Sequence, residues 1–305
     1  ILSEAIPIAQ GCTAWPGAGA LWSPEAINGW KLVNKGIHAK GSYVFAQLFH
    51  GGRTVHSAIT GSKPIAPSAI AIEGQTWTPA GMKDNDVPSE MTLGQIEELK
   101  ESFTSAFRAA KEADFDGVEV HGASGLLLAQ FLNSRSNFRS DSYGGSVENR
   151  CRLLLEVVDL AISIWGAKRV GVKLSPVIRA FGSYDENPVE TLSYICREAS
   201  KKGVAYIQVS DADGEGKSQI ANVALEARKH FKGAVITNGF NTPAEMARRV
   251  ESGEADLVSF GRAIIGNPDL AVRLRDGLKL ADADQKTFYL GGAAGYTDYP
   301  VYSSK

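Results

Sequence analysis

Phe115-Asp116-Gly117-Val118-Glu119-Val120-His121-Gly122-Ala123-Ser124-Gly125-Leu126-Leu127-Leu128-Ala129-Gln130-Phe131 is the stretch that decides the fold. Gly117 opens a short run with β-branched Val118 and Val120, which reads as a buried strand. Its far end delivers His121 into a turn built on Gly122 and Gly125, and an apolar, helix-like run from Leu126 to Leu132 follows at once. Strand, tight turn and helix in that order form the unit of α/β folds, which gather their chemistry at the carboxyl ends of strands. A lone histidine is more often a core residue satisfied by backbone. The strand-turn-helix setting, with the Ser124 hydroxyl three residues on, favours the functional reading for His121.

The same unit recurs in both directions. Strand-like runs fall near residues 2–7, 43–49, 117–121, 170–175, 204–210, 234–238 and 256–260, each followed by a helical pattern. Ser23-Pro24 caps a helix with Ile27, Trp30, Val33, Asn34 and Ile37 on one face, and Thr92 opens another through Ile96, Leu99, Phe103, Phe107 and Ala110. Seven such units imply a parallel sheet. A TIM (β/α)8 barrel whose first β-strand and helix are missing from the sequence is the simplest completion. A doubly wound open sheet is the alternative, weakened by the lack of a Gly-x-Gly-x-x-Gly turn after any strand. We expect one domain over residues 1–305, amino-terminally incomplete, because Ile1-Leu2-Ser3-Glu4-Ala5-Ile6 reads as the middle of a strand. Residues 50–91 carry Gly, Pro and Ser punctuation over a length that suits a functional loop or lid.

Composition narrows the partners. A net charge of -2 and a pI near 6.3 provide no basic field for nucleic acid or an anionic membrane, so a small molecule is expected. Cys12, Cys151 and Cys196 are far apart with no Cys-x-x-Cys spacing, which argues against a disulfide framework or a metal site and for a reducing, cytoplasmic compartment. No apolar run reaches the ~18 residues of a membrane helix.

Unusual residues collect at strand ends: Gln47, His121, Lys173, Asn238-Gly239 and Gly261-Arg262. Gly239 and Gly261 let backbone N–H groups approach an anion and Arg262 adds a forked cation, the makings of a phosphate cradle. A tight turn beside a surface arginine is the plainer reading of that pair. Lys173 lies within an apolar strand, where an ammonium needs a partner or an open pocket, and an electron-rich heterocycle would provide one.

Several of these segments carry a resemblance. Phe45-Ala46-Gln47-Leu48-Phe49-His50-Gly51-Gly52-Arg53, Gly117 to Ala123, Asn133 to Arg150 with its Asp141-Ser142-Tyr143-Gly144-Gly145 core, Gly171 to Pro176, Phe260-Gly261-Arg262 with Asn267-Pro268-Asp269-Leu270, and Gly295 to Pro300 together resemble the old yellow enzyme family, in order and at family spacing. The resemblance implies a TIM barrel that holds FMN non-covalently, is reduced by NADPH and reduces the activated C=C bond of an enone or enal as a monomer or homodimer. It implies that Ala5, Gln47 and Lys173 contact the flavin ring, that Gly239, Gly261 and Arg262 hold its phosphate, and that His121 and Ser124 bind the substrate carbonyl. Phe49 and Tyr296 would line the substrate pocket.

Two departures qualify that expectation. The family pairs this histidine with an asparagine or histidine three residues on and a proton-donating tyrosine two further; here those positions hold Ser124 and Leu126. Leucine donates nothing, so protonation would fall to water or another group. The family's first strand and helix also precede the run at Ile1. A flavin- or ligand-binding relative with weak, isomerase-like or no reductase activity therefore stands as the alternative function.

Overall fold

The computed structural model describes residues 1–210, 220–239, 242–288 and 292–303. Seven strands form one parallel sheet in chain order: β1 (Leu2–Pro7), β2 (Phe45–Phe49), β3 (Gly117–Gly122), β4 (Val170–Leu174), β5 (Tyr206–Ser210), β6 (Ala234–Asn238) and β7 (Leu257–Ser259). These are the seven expected strands, with ends moved by a residue or two. Parallel neighbours in sequence order require a crossover after every strand, and helices such as Leu93–Glu112, Val147–Trp165, Pro188–Lys202 and Val223–His230 supply several of them. Among the described residues, β1 pairs only with β2 and β7 only with β6.

The sheet is strongly curled. Phe45 of β2 and Tyr206 of β5 are three strands apart, about 14 Å across a flat sheet at ~4.8 Å per strand. Their ring centroids nevertheless approach to 5.9 Å. Two glycines make room for the rings: a Cβ on Gly117 would sit 2.3 Å from the Phe45 ring, and one on Gly171 would sit 2.1 Å from the Tyr206 ring. Aromatic rings over glycines thus close the floor of the curl, and the next layer up is polar.

Helices cover the convex face because each has one apolar stripe. Helix Leu93–Glu112 starts with a reciprocal capping box between Thr92 and Gln95 and buries Ile96, Leu99, Phe103 and Phe107. Helix Pro24–His38 is capped by Ser23 as expected, but its stripe is narrower than the sequence suggests. Val33 is half exposed, and Asn34 is fully buried because its amide donates to the Ala113 carbonyl at 2.8 Å. A second device is repeated where strands begin. Asp116 accepts the Val44 N–H at 2.8 Å and Asp256 accepts the Val235 N–H at 2.7 Å, so an acidic residue heading one strand fastens its neighbour.

Residues 50–91 contain more regular structure than their punctuation suggests. Ile65–Ala66 pairs with Ser89–Glu90, and Gln75–Thr78 folds onto Gly81–Asp84 as an antiparallel hairpin with Trp77 opposite Met82. This excursion rises at the carboxyl end of β2.

The floor glycines yield a direct test. Gly171→Ala puts a methyl into the Tyr206 ring and is expected to cost about 1–3 kcal/mol of folding stability, read as a lowered urea midpoint with an unchanged slope.

Candidate functional site

Register assembles the mouth. Paired residues on neighbouring parallel strands share a face, and the pairs run Ala5 with Gln47, Gln47 with Glu119, His121 with Lys173, Lys173 with Gln208, and Asn238 with Ser259. Six separate stretches of sequence therefore deliver polar residues to one concave surface, at its carboxyl end.

His121 is buried, 4% exposed. Its Nδ1 accepts the Ala123 N–H at 3.3 Å, which assigns the ring proton to Nε2. Burial foremost, and then the positive charge of Lys173, hold its pKa well below the usual imidazole range. The ring is consequently a neutral N–H donor. Phe49, fully buried, stands 6.4 Å from it, and Trp15 stacks on Phe49 at 5.2 Å with the planes 10° apart. Trp15 comes from the Gly- and Pro-containing loop after β1, where composition alone gives no sign of a role.

Ser124 takes a left-handed conformation, φ 58°, held by its N–H donating to Ser175 Oγ at 2.7 Å. Gly125 follows with φ 69°, and a Cβ there would meet the Ala180 carbonyl oxygen at 2.6 Å. Leu126 is the cap of helix Leu127–Leu132 rather than its first residue. It is 3% exposed and supplies no side-chain capping bond.

Below His121 lies a group that the sequence did not single out. Glu119 is fully buried, and its Oε1 accepts from Gln47 Nε2 at 2.6 Å. Burial raises its pKa, against the opposing pull of Lys173 and the Gln47 amide. Burial and the neighbouring Glu119 push the Tyr206 hydroxyl well above its usual range. Gln208, also buried, donates to Ser259 Oγ at 2.9 Å, while its Oε1 has no partner. Lys173 forms no hydrogen bond or ion pair within the described residues, although its charge is felt by both Glu119 and His121.

The proposed cradle residues emerge together. Gly239 follows Asn238, Gly261 lies two residues past Ser259, and those strand ends are paired. Ser210 Oγ donates to Asn238 Oδ1 at 3.1 Å, fastening a third strand end beside them. Among the described residues nothing stands within 4 Å of a Cβ built on Gly261, and Arg262 is exposed at the start of the short helix Arg262–Gly266. Tyr296 lies in a turn near the far end of the chain and is 44% exposed.

The segment from Asn133 to Arg150 turns out to be scaffold. Arg139 is buried, donates to the Pro67 and Met91 carbonyls and grips Asp141 through Nε and Nη2. Arg150 donates to the Leu132 and Gly145 carbonyls and pairs with buried Asp185, which also accepts the Thr191 hydroxyl. These buried arginines are committed to the carbonyls and carboxylates of the surrounding loops.

Fold and mouth define an α/β barrel protein whose open end presents a neutral imidazole, a cation that makes no ion pair with the described residues and two glycines at neighbouring strand ends. Residues 1–281 match the family described as NADH:flavin oxidoreductase / NADH oxidase, and the chain belongs to it. A probable flavin mononucleotide-dependent alkene reductase of Leishmania infantum is 38% identical over 307 positions, covering 98% of this chain and 84% of its own. A putative 12-oxophytodienoate reductase 5 of Oryza sativa subsp. japonica is 37% identical over 308 positions, 98% of this chain and 81% of its own. Among solved structures, the old yellow enzyme homologue from Zymomonas mobilis superposes with a TM-score of 0.95 at 36% identity, covering 99% of this chain and 86% of that one. Morphinone reductase in complex with tetrahydroNAD does so at 0.93 and 36%, covering 99% and 84%. The curled sheet is thus that of a TIM barrel, with seven parallel strands among the described residues.

His50, next to Phe49, provides a pH test. Its Nδ1 accepts the Gly52 N–H at 2.9 Å, and burial lowers its pKa from 6.5 to about 4. The unfolded chain takes up this proton first as pH falls, so the contribution is complete above pH 6.5 and is lost on descending to about pH 4. Roughly 3 kcal/mol of stability is expected to disappear across that window by urea titration, and His50→Asn should flatten the decline.

Proposed function

We propose that this protein is an FMN-dependent oxidoreductase that takes hydride from NADPH and delivers it to the activated C=C bond of an α,β-unsaturated carbonyl compound. The observation that carries this reading is the juxtaposition of His121, a neutral Nε2–H donor, with Lys173, a cation that forms no hydrogen bond or ion pair with a described side chain. The mouth also fits the cofactor on its own chemistry. Gln47 Oε1 accepts nothing from the described residues, and Lys173 is available for an electron-rich ring edge.

Ala5, Gln47 and Lys173 hold the flavin ring in this reading, and Gly239, Gly261 and Arg262 its phosphate. Bound FMN supplies the carrier that accepts hydride from the nicotinamide and passes it to the alkene. The remaining work falls to side chains. His121 Nε2–H donates to the substrate carbonyl oxygen and withdraws electron density from the conjugated alkene, stabilising the enolate charge that develops as hydride adds. Because the imidazole is already neutral, it acts by hydrogen bonding and keeps its proton. Ser124 adds a short hydroxyl donor on the same side, and Phe49 and Tyr296 bound the substrate. Leu126 can neither donate nor accept, so the α-carbon proton comes from solvent.

No helix among the described residues is long and apolar enough to cross a membrane. We place the protein in the cytoplasm, where its three free, buried cysteines remain reduced, acting as a monomer or homodimer on a small molecule.

The protein is expected to be yellow, to bleach with NADPH without oxygen, and to recover its colour when a cyclic enone such as cyclohexenone is added. Bleaching with no recovery above the anaerobic blank would reject the alkene substrate and leave the flavin-binding relative with altered activity. Colourless protein that takes up no FMN would reject the whole reading.

Leu126→Tyr tests the missing proton donor. General acid assistance is typically worth about 10²- to 10⁴-fold, so the variant should reduce enones faster with FMN affinity unchanged. Equal rates would show that protonation does not limit turnover.

A further inference from the structure

We propose that Glu119 is a positioning residue for the flavin site: it fixes the side-chain amide of Gln47 and offsets the charge of Lys173. The inference rests on the flavin reading above and adds a residue to it.

The geometry is specific. Glu119 is fully buried on the strand that carries His121, two residues below it and in register with Gln47 on the neighbouring strand. A carboxylate only accepts, so the 2.6 Å contact must come from the amide nitrogen of Gln47. A glutamine amide has two orientations of nearly equal shape, and this bond selects one of them. With Nε2 committed to Glu119, Gln47 Oε1 is left as the free acceptor, with no hydrogen bond from a described residue. An imide N–H, the group at the pyrimidine edge of a flavin, needs an acceptor there. A flipped amide would present a second donor to it.

Charge makes the same case. An unpaired carboxylate in a barrel interior is costly, and an apolar residue of similar size usually serves stability better. Glu119 is nevertheless present, with one oxygen on Gln47 and the other without a hydrogen-bond partner. The cation that acts on it is Lys173, and the remaining titratable group beside it is the Tyr206 hydroxyl. A negative charge there diminishes the positive field that Lys173 projects on a flavin ring, which lowers the tendency of that ring to accept electrons.

The test uses three readouts on the whole chain: FMN titration into apoprotein, the midpoint potential of the reconstituted holoprotein, and urea stability of the apoprotein. Glu119→Gln keeps an acceptor for Gln47 and removes the charge. It is expected to bind FMN about as well as wild type and to show a more positive midpoint potential. Glu119→Leu removes both functions and is expected to weaken FMN binding about tenfold or more. In a Gln47→Leu background the same replacement should add little further loss, since the two side chains act as a unit. An unchanged potential in Glu119→Gln would overturn the proposal. So would losses from Glu119→Leu and Gln47→Leu that multiply independently, or a Glu119→Leu variant that loses urea stability alone. Failure of the wild-type chain to bind FMN would sink the flavin reading and this inference together, whereas binding by wild type with indifferent variants removes only this inference.

Discussion

Everything at the mouth depends on strand register, and register depends on two rings passing over two glycines. Phe45 crosses Gly117, and Tyr206 crosses Gly171, at distances that leave no room for a methyl group. In a pleated strand a slip of one residue turns every side chain to the opposite face. Such a slip would carry Gln47, Glu119, His121 and Lys173 out of the barrel interior and into the apolar layer beneath the helices. The aromatic floor therefore does more than fill space: it holds β2, β3, β4 and β5 at the one offset that brings the polar residues together above it.

Above that lock the interior becomes more polar, and each polar residue limits what the next can do. Glu119 takes the Gln47 nitrogen, and Lys173 acts on both Glu119 and His121. The backbone N–H of Ala123 occupies Nδ1 of His121. Three further strand ends are stitched by Gln208 to Ser259 and by Ser210 to Asn238, just before Gly239 and Gly261. The loop scaffold around Arg139 and Arg150 serves the same end from behind, with buried guanidinium groups holding carbonyls that would otherwise be unsatisfied.

The seven strands were legible because buried parallel strands are short β-branched runs between glycines, and Val118-Glu119-Val120 or Val170-Gly171-Val172 can hardly be read otherwise. His121, Lys173 and Gly261 were legible for a related reason, since a polar or flexible residue is conspicuous at the end of an apolar run. Glu119 was not. A glutamate between valines reads as the solvated side of an amphipathic strand, and only the curl shows that its side faces inward. Trp15 was hidden in a loop whose path is set by Phe49, far away in sequence. Val33 left the expected face while Asn34 stayed on it, because Asn34 finds a carbonyl at residue 113, a contact that no helical periodicity encodes. The hairpin at Gln75–Asp84 escaped notice because its strands are exposed on most positions and carry little apolar pattern.

The two basic side chains at the mouth divide the chemistry between them. If both His121 and Lys173 were charged, two cations in register within a buried layer would repel. Burial and the ammonium together settle the matter by keeping the imidazole neutral. A neutral imidazole with Nδ1 already occupied can donate one hydrogen bond from Nε2, which suits a carbonyl oxygen and excludes service as a strong acid. The cation is thereby reserved for an anionic or electron-rich partner, and the proton needed to complete an alkene reduction has no donor at Leu126. That position, 3% exposed at the cap of a helix, is filled by packing rather than by chemistry. In the proposed reading, polarisation and electron delivery are thus built into the mouth, and proton delivery is left to whatever water reaches the substrate.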